Sequence, residues 1–175
     1  MAPPRVLEDG LVHIPAAVGA PSQQLLAHVA RTAGSGAGAV NGGFWCAGGK
    51  PGDKAALNHS PPWGRGRVFA ALESFPCAAE LRQICESVVG AACRADSSMP
   101  HMSPTHLLLN YYGNGCGITT HIDSAENDGE ADRPVVSISL GNTCNFELKH
   151  KRHVPIPFNV QCISLPVCVC VCVCV

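Results

Sequence analysis

Residues 110–141 read NYYGNGCGITTHIDSAENDGEADRPVVSISLG, and this stretch decides the fold. His121 and Asp123 stand two residues apart in a segment that is typical of a β-strand. Side chains at positions i and i+2 leave a strand on the same face, so an imidazole nitrogen and a carboxylate point at the same spot. Such a pair supplies two of the three protein ligands in the facial triad that holds non-haem Fe(II). An H-x-D pattern alone is weak, and the residues on either side make it specific.

The order of elements in this stretch resembles the AlkB family of Fe(II)- and 2-oxoglutarate-dependent dioxygenases. That family has an N-x-Y strand, a short turn containing glycine, the H-x-D strand, a polar loop and a strand similar to PVVSISLG. Here these elements are residues 110–112, 113–117, 121–123, 124–133 and 134–141. The resemblance covers residues 107 to about 146 well and the upstream region loosely.

The resemblance implies a role for each of four residues. His121 and Asp123 would bind Fe(II), and Asn110 and Tyr112 would donate hydrogen bonds to 2-oxoglutarate, with O2 as the other co-substrate. No catalytic residue beyond the metal ligands is implied. The reaction would be oxidative demethylation of N-methylated bases in DNA or RNA, and a methylated protein is the other substrate class. A methylated base in duplex DNA would have to be flipped into the pocket.

The glycine-rich segment 34–49 is interpreted as a loop, which in AlkB relatives helps to hold the substrate. Phe44 and Trp45 in this loop are candidates for stacking on a base. The alternative is that Trp45 is simply a buried anchor of the loop. The net charge of −1 gives no broad field that would attract nucleic acid. Contact with nucleic acid would therefore rely on local clusters such as residues 149–152, or Arg65 with Arg67.

The sequence departs from the family pattern after the H-x-D strand. Family members carry a second metal-binding histidine and, beyond it, an arginine that binds the distal carboxylate of 2-oxoglutarate. The later histidines here are His150 and His153, in a charged run that is interpreted as a hairpin tip, and no arginine follows Arg152. We therefore expect a C-terminally truncated member that binds Fe(II) weakly and turns over 2-oxoglutarate slowly or not at all.

Residues 167–175 read VCVCVCVCV, a strict two-residue repeat. A GT dinucleotide repeat translates into alternating valine and cysteine, which favours a translated microsatellite over a selected sequence. The alternative is a tail of four cysteines that binds a soft metal ion such as Zn(II) or Cu(I). We expect this tail to have no defined place in the fold, so that it is either disordered or a strand with little support from the residues around it. It is too short to span a bilayer, which needs about 20 apolar residues.

Length and composition indicate one intracellular domain. The chain has 175 residues, of which 46% are hydrophobic, enough for a single core. The seven cysteines outside the tail form no C-x-x-C pair, which predicts reduced thiols in an intracellular protein. The first residues, MAPPRVLEDG, lack the apolar region of a signal peptide. We expect no membrane partner and a monomer.

The patterns along the chain predict an α+β fold. A first strand is predicted in residues 10–17, a helix from Pro21 and Ser22 to about Thr32, a second helix over residues 78–94, and strands from residue 105 onward. The expected architecture is two helices supporting an incomplete double-stranded β-helix, a relative of the jelly roll. Residues 1–104 would hold the first strand, the helices and the substrate loop, residues 105–159 the partial dioxygenase core, and residues 160–175 the non-family tail.

Two alternative functions stay open. One is a catalytically dead fragment or pseudo-enzyme that acts only as a binding domain, which the absence of a distal histidine favours. The other is a cupin-like metal protein that does not use 2-oxoglutarate. A generic cupin has no reason to carry the Asn110 and Tyr112 pair, so this pair distinguishes the second alternative.

Overall fold

A computed structural model describes residues 3–34, 36–43, 65–112, 135–141, 144–148, 156–160 and 168–174 of the chain. The described helices are α1 (Ala20–Gly34) and α2 (Ala78–Ala95). The described strands are β1 (Arg5–Glu8), β2 (Leu11–His13), β3 (Arg65–Ala71), β4 (His106–Tyr112), β5 (Val135–Leu140), β6 (Cys144–Leu148), β7 (Ile156–Val160) and β8 (Cys168–Cys174).

The strands form one larger sheet and two hairpins, and all the described pairs are antiparallel. The larger sheet has the order β3-β4-β8-β5, while β1 pairs with β2 and β6 with β7. The predicted α+β class is therefore confirmed, together with the two helices. Within the described residues the sheets do not close into a jelly roll, so the double-stranded β-helix remains a prediction.

Both predicted helices form, and each buries the stripe that its spacing predicts. In α1, Leu26 and Val29 are buried, and Leu25 packs against the core. The helix begins slightly earlier than predicted, because the Gln23 backbone N–H donates to the Gly19 carbonyl at 3.0 Å. In α2 the buried residues recur at helical spacing. They are Leu81, Cys85, Val89 and Ala92.

One face of the larger sheet packs against the helices to form the core. Three of the strands, β3, β4 and β5, each contribute two buried residues to this face. They are Val68 and Ala70 of β3, Leu107 and Leu109 of β4, and Ile138 and Leu140 of β5. Burial raises the pKa of the Cys85 thiol in this core to about 11, with the nearby Glu86 adding to the effect. As far as its side chains are described, the helix side of the sheet is therefore a largely apolar core.

Residues 168–174 of the Val-Cys tail form strand β8. This strand lies between β4 and β5, paired with β4 along its whole length and with β5 from Val169 to Cys174. Alternating valine strongly favours a strand, and β8 pairs backbone groups that β4 and β5 would otherwise leave exposed at two sheet edges. The expectation from the sequence allowed a strand here but did not include its pairing with β4 and β5.

Two further differences concern strands near the start of the domain. The predicted first strand over residues 10–17 is shorter, since β2 ends at His13, and it pairs with β1. Strand β3 was not predicted, because its sequence RGRVFAA contains a glycine and two alanines, which have low strand propensity. It is nevertheless the strand next to β4, and it supplies side chains to both faces.

Candidate functional site

Strand β4 carries the N-x-Y motif and holds it in a regular geometry. Every residue of β4 has a register partner in β3, without a bulge. Because side chains alternate along a regular strand, Asn110 and Tyr112 share one face and Tyr111 lies on the other. Tyr111 packs against the helix-side core, as this alternation requires. We call the face that carries Asn110 and Tyr112 the site face.

Strand β4 is buried on both faces, and this burial includes a polar side chain. Leu107 and Leu109 belong to the helix-side core, whereas Leu108 and Asn110 are buried on the site face. Asn110 is only 4% exposed, and it is the one polar side chain in the buried class among the described residues. An amide taken out of water is costly unless it makes hydrogen bonds, so its position indicates a polar site and not apolar packing.

A guanidinium group lies next to this amide. Arg67 of β3 is the direct register partner of Asn110, so the two side chains leave the sheet on the same face. The Arg67 side chain is half-buried, and its Nε atom is inaccessible to solvent. On the other side of β8, Ser139 of β5 occupies the same row, since Cys170 pairs with both Asn110 and Ser139. The row therefore brings an amide, a cation and a hydroxyl to one part of the site face.

Two rings stack farther along the site face. Phe69 of β3 is the register partner of Leu108, and its ring lies parallel to that of His106, with centroids 5.2 Å apart and an interplanar angle of 14°. The distance between His106 Nδ1 and the hydroxyl oxygen of Thr105 is 3.1 Å.

The predicted metal ligands and substrate residues lie outside the described residues. His121 and Asp123 fall in the segment 113–134, and Phe44 with Trp45 falls in 44–64. The later histidines, at positions 150 and 153, fall in 149–155. Within the part of the chain that is described, no three His, Cys, Asp or Glu side chains form a group that could hold a metal ion. The iron-ligand assignment to His121 and Asp123 therefore stays a prediction.

The side chains on the site face fit the chemistry of a 2-oxo dicarboxylate. Such a ligand carries two negative charges and needs hydrogen-bond donors and a cation when it leaves water. Asn110 and Tyr112 can donate through an amide and a phenol, and Arg67 supplies positive charge. Strands β3, β4 and β5 contain no Asp or Glu. The face is thus suited to an anion.

Sequence reasoning had considered Arg67 only as a contact for nucleic acid. In the structure the half-buried Arg67 side chain instead lies opposite Asn110 in the sheet. A signal was present in the alternation of Arg65, Arg67 and Phe69 with small or apolar residues, which is typical of a strand with two different faces. This alternation does not show which face of β3 meets the site, because that depends on pairing with β4, which the sequence of β3 does not specify.

A largely apolar cavity lies between residues 11–18, α2 and β5. It has a volume of about 220 Å³, and Val88, Met102 and Ile138 are among its lining residues. Ser139 also borders it, whereas Arg67, Asn110 and Tyr112 do not. The cavity therefore does not contain the N-x-Y pair.

Comparison with known proteins identifies a superfamily for this chain. The family model of the 2OG-Fe(II) oxygenase superfamily matches residues 66–167, from β3 to the residue before β8. A search of the curated proteins finds no match. Neither of the described helices is both long enough and apolar enough to cross a membrane. Because the family match covers more than half of the 175 residues, the chain belongs to the 2OG-Fe(II) oxygenase superfamily.

Proposed function

We propose that this oxygenase is AlkB-like and removes methyl groups oxidatively from N-methylated bases of DNA or RNA. The observation that carries the proposal is the buried Asn110, which shares a strand face with Tyr112 just before the H-x-D segment. The order of strands in the sequence that follows, with the polar loop and PVVSISLG, supports the AlkB-like subclass. The family match favours 2-oxo acid chemistry over the cupin-like alternative.

In this proposal four residues hold the metal ion and the 2-oxo acid. His121 and Asp123 would hold Fe(II) through one imidazole nitrogen and one carboxylate. The chemistry that bound Fe(II) would supply is the coupling of two reactions. In one, 2-oxoglutarate loses CO2 and gives succinate; in the other, one oxygen atom of O2 is inserted into an N-methyl C–H bond. Asn110 and Tyr112 donate hydrogen bonds that orient the 2-oxo acid, and the burial of β4 keeps water from that end of the site. The hydroxymethyl product then loses formaldehyde and leaves an N–H.

The proposed substrate is a single base, taken out of its stack when the nucleic acid is a duplex. Phe44 and Trp45 are proposed to stack on this base, since every base offers a face to an aromatic ring. With a net charge of −1 the chain is expected to neutralise few phosphates, and so to bind nucleic acid weakly and with a shallow dependence on salt. A methylated protein is the competing substrate class.

The proposal is tested by incubating the purified chain with Fe(II), 2-oxoglutarate and O2 and a set of oligonucleotides that carry N-methylated adenine or cytosine. We expect the demethylated base, formaldehyde and succinate in equal amounts, formed more slowly than the roughly 1 s⁻¹ at the lower end of typical enzymes. The matched controls are the unmethylated oligonucleotides and a peptide with N-methylated lysine. Succinate formation that is stimulated only by the peptide would contradict a nucleic-acid substrate.

A binding domain without turnover is the second candidate, and the donor set favours it. After Asp123 the imidazoles of His150 and His153 stand in the run KHKRH, beside three cationic side chains that repel a metal ion. If neither histidine completes the site, two protein ligands would hold iron weakly. In that case 2-oxoglutarate and the methylated base would bind without formation of succinate, which the same assay distinguishes from slow turnover.

A further inference from the structure

We infer that Cys93 is an acylation site, which holds a medium-chain acyl group as a thioester with the chain in the cavity beside α2. The inference goes beyond the proposed function and does not depend on it, because Cys93 packs against the helix-side core. It rests on an apolar cavity, a thiol in the wall of this cavity and an imidazole beside that thiol.

The first support is the cavity between residues 11–18, α2 and β5. Most of the residues around it are apolar, among them Val88, Met102, Ile138 and Phe146. An apolar cavity of about 150 Å³ binds benzene, a molecule of six carbons, so the volume of about 220 Å³ found here has room for about eight or nine carbons. Each methylene that leaves water for such a site strengthens binding about fourfold, which favours a medium chain over a short one.

The second support is the position of the Cys93 thiol. Of the three cysteines whose side chains the structure describes, Cys93 alone borders the cavity. Its side chain is half-buried, whereas Cys77 is exposed on the surface and Cys85 is buried in the core. Burial raises the pKa of the Cys85 thiol to about 11, so Cys85 stays protonated and unreactive at neutral pH. Of these three thiols, Cys93 therefore combines access with an apolar space for an attached chain.

The third support is the imidazole next to this thiol. Cys93 Sγ lies 3.9 Å from His101 Nδ1 and 3.6 Å from the carbonyl oxygen of Met99. His101 is exposed, so its ring can exchange protons with water. A neutral imidazole whose Nδ1 carries no proton can accept the thiol proton, and the resulting thiolate is the nucleophile. The pair of Cys93 and His101 can thus activate the thiol.

The reaction assigned to this site is a transfer between thioesters. The Cys93 sulfur attacks the carbonyl carbon of a fatty acyl thioester, such as an acyl-coenzyme A, while His101 takes the thiol proton. The bond between the carbonyl carbon and the coenzyme A sulfur then breaks, and the leaving thiolate receives the proton from His101. One thioester bond forms and one breaks, so the transfer needs no oxidant or reductant.

The test compares octanoyl-coenzyme A with acetyl-coenzyme A on the full chain, kept reduced with a phosphine. Peptide mapping by mass spectrometry measures the acylation rate of Cys93, with the exposed Cys77 as the internal control. The variants are His101→Gln, which removes the base, and Val88→Phe, which fills part of the cavity. The matched control is His28→Gln, which removes an exposed imidazole from α1 that does not border this cavity.

We expect the octanoyl group to modify Cys93 at least about tenfold faster than the acetyl group, because the longer chain is buried in the cavity, and the two rates at Cys77 to differ little. His101→Gln should slow both acylations of Cys93 at least about tenfold and leave Cys77 unchanged, since a general base typically contributes about 10²–10⁴-fold. Val88→Phe should remove the octanoyl preference without slowing acetylation. Circular dichroism checks that each variant is folded, and His28→Gln should match the wild type.

Two results with the wild-type chain would overturn the inference without any variant. Equal rates of octanoylation and acetylation at Cys93 would show that the cavity does not hold the chain. Octanoylation of Cys77 as fast as that of Cys93 would show the reactivity of any accessible thiol. Among the variants, an octanoyl preference that persists in Val88→Phe would place the chain outside the cavity, and an unchanged rate in His101→Gln would contradict the role of the imidazole. None of these results bears on demethylation, which has its own assay.

Discussion

Replacing Val171 with proline should destabilise the domain by about 2–4 kcal/mol, since it removes a ladder hydrogen bond and leaves a buried carbonyl without a donor. Val171 lies at the centre of β8, opposite Leu109 of β4 and Ile138 of β5. Proline cannot donate to a ladder and is confined to edge strands or bulges, and β8 is an interior strand. A loss of this size is a large fraction of the roughly 5–15 kcal/mol by which domains are stable.

Urea denaturation followed by circular dichroism measures this effect. The control is Val175→Pro, one residue past Cys174, which is the last residue with a register partner. We expect the control to unfold at the wild-type urea concentration and Val171→Pro to unfold well below it. Equal midpoints for the two variants would show that the Val-Cys tail is not the strand between β4 and β5. The tail would then have no defined place in the fold.

Replacing Asp123 with alanine should abolish metal-dependent turnover of 2-oxoglutarate and leave stability nearly unchanged. The proposed carboxylate ligand would be lost, and His121 would remain as the only assigned protein ligand. Removal of even an outer partner of a metal ligand costs about 10–100-fold in affinity or activity, so loss of the ligand itself should cost at least about 100-fold.

Titration with Mn(II), followed by electron paramagnetic resonance, measures metal binding directly. The measurement does not depend on turnover, so it also works if turnover is slow. Asp128→Ala is the matched control, because it removes a carboxylate from the same polar loop without changing the H-x-D pair. We expect the control to bind Mn(II) as the wild type does. Retention of Mn(II) binding by Asp123→Ala, or its loss in Asp128→Ala alone, would contradict the assigned ligand set.

Elements with a strong local pattern could be predicted from the sequence. Helix α2 (Ala78–Ala95) follows the predicted 78–94 almost residue for residue, because its apolar residues recur with helical spacing. Strand β4 and strand β5 (Val135–Leu140) were predicted from the N-x-Y and PVVSISLG segments. The sharing of one face by Asn110 and Tyr112 also follows from local geometry, since it needs only a regular strand.

Features that depend on pairing between distant segments could not be predicted. The sequence RGRVFAA of β3 has modest strand propensity, and its place beside β4 comes from a partner about forty residues away. The insertion of β8 between β4 and β5 is equally non-local. The position of Arg67 beside Asn110 depends on the register of β3 with β4, so this part of the site was seen only in the fold.

Fe(II)-dependent binding of 2-oxoglutarate, measured by anaerobic calorimetry against glutarate, tests the central claim most directly. Glutarate keeps both carboxylates but lacks the keto oxygen that chelates the metal ion. The superfamily assignment, together with a site face built from Arg67, Asn110 and Tyr112, predicts that 2-oxoglutarate binds at least about tenfold more tightly than glutarate, and only when Fe(II) is present. Equal binding of the two acids, or binding that does not change when Fe(II) is withheld, would contradict it.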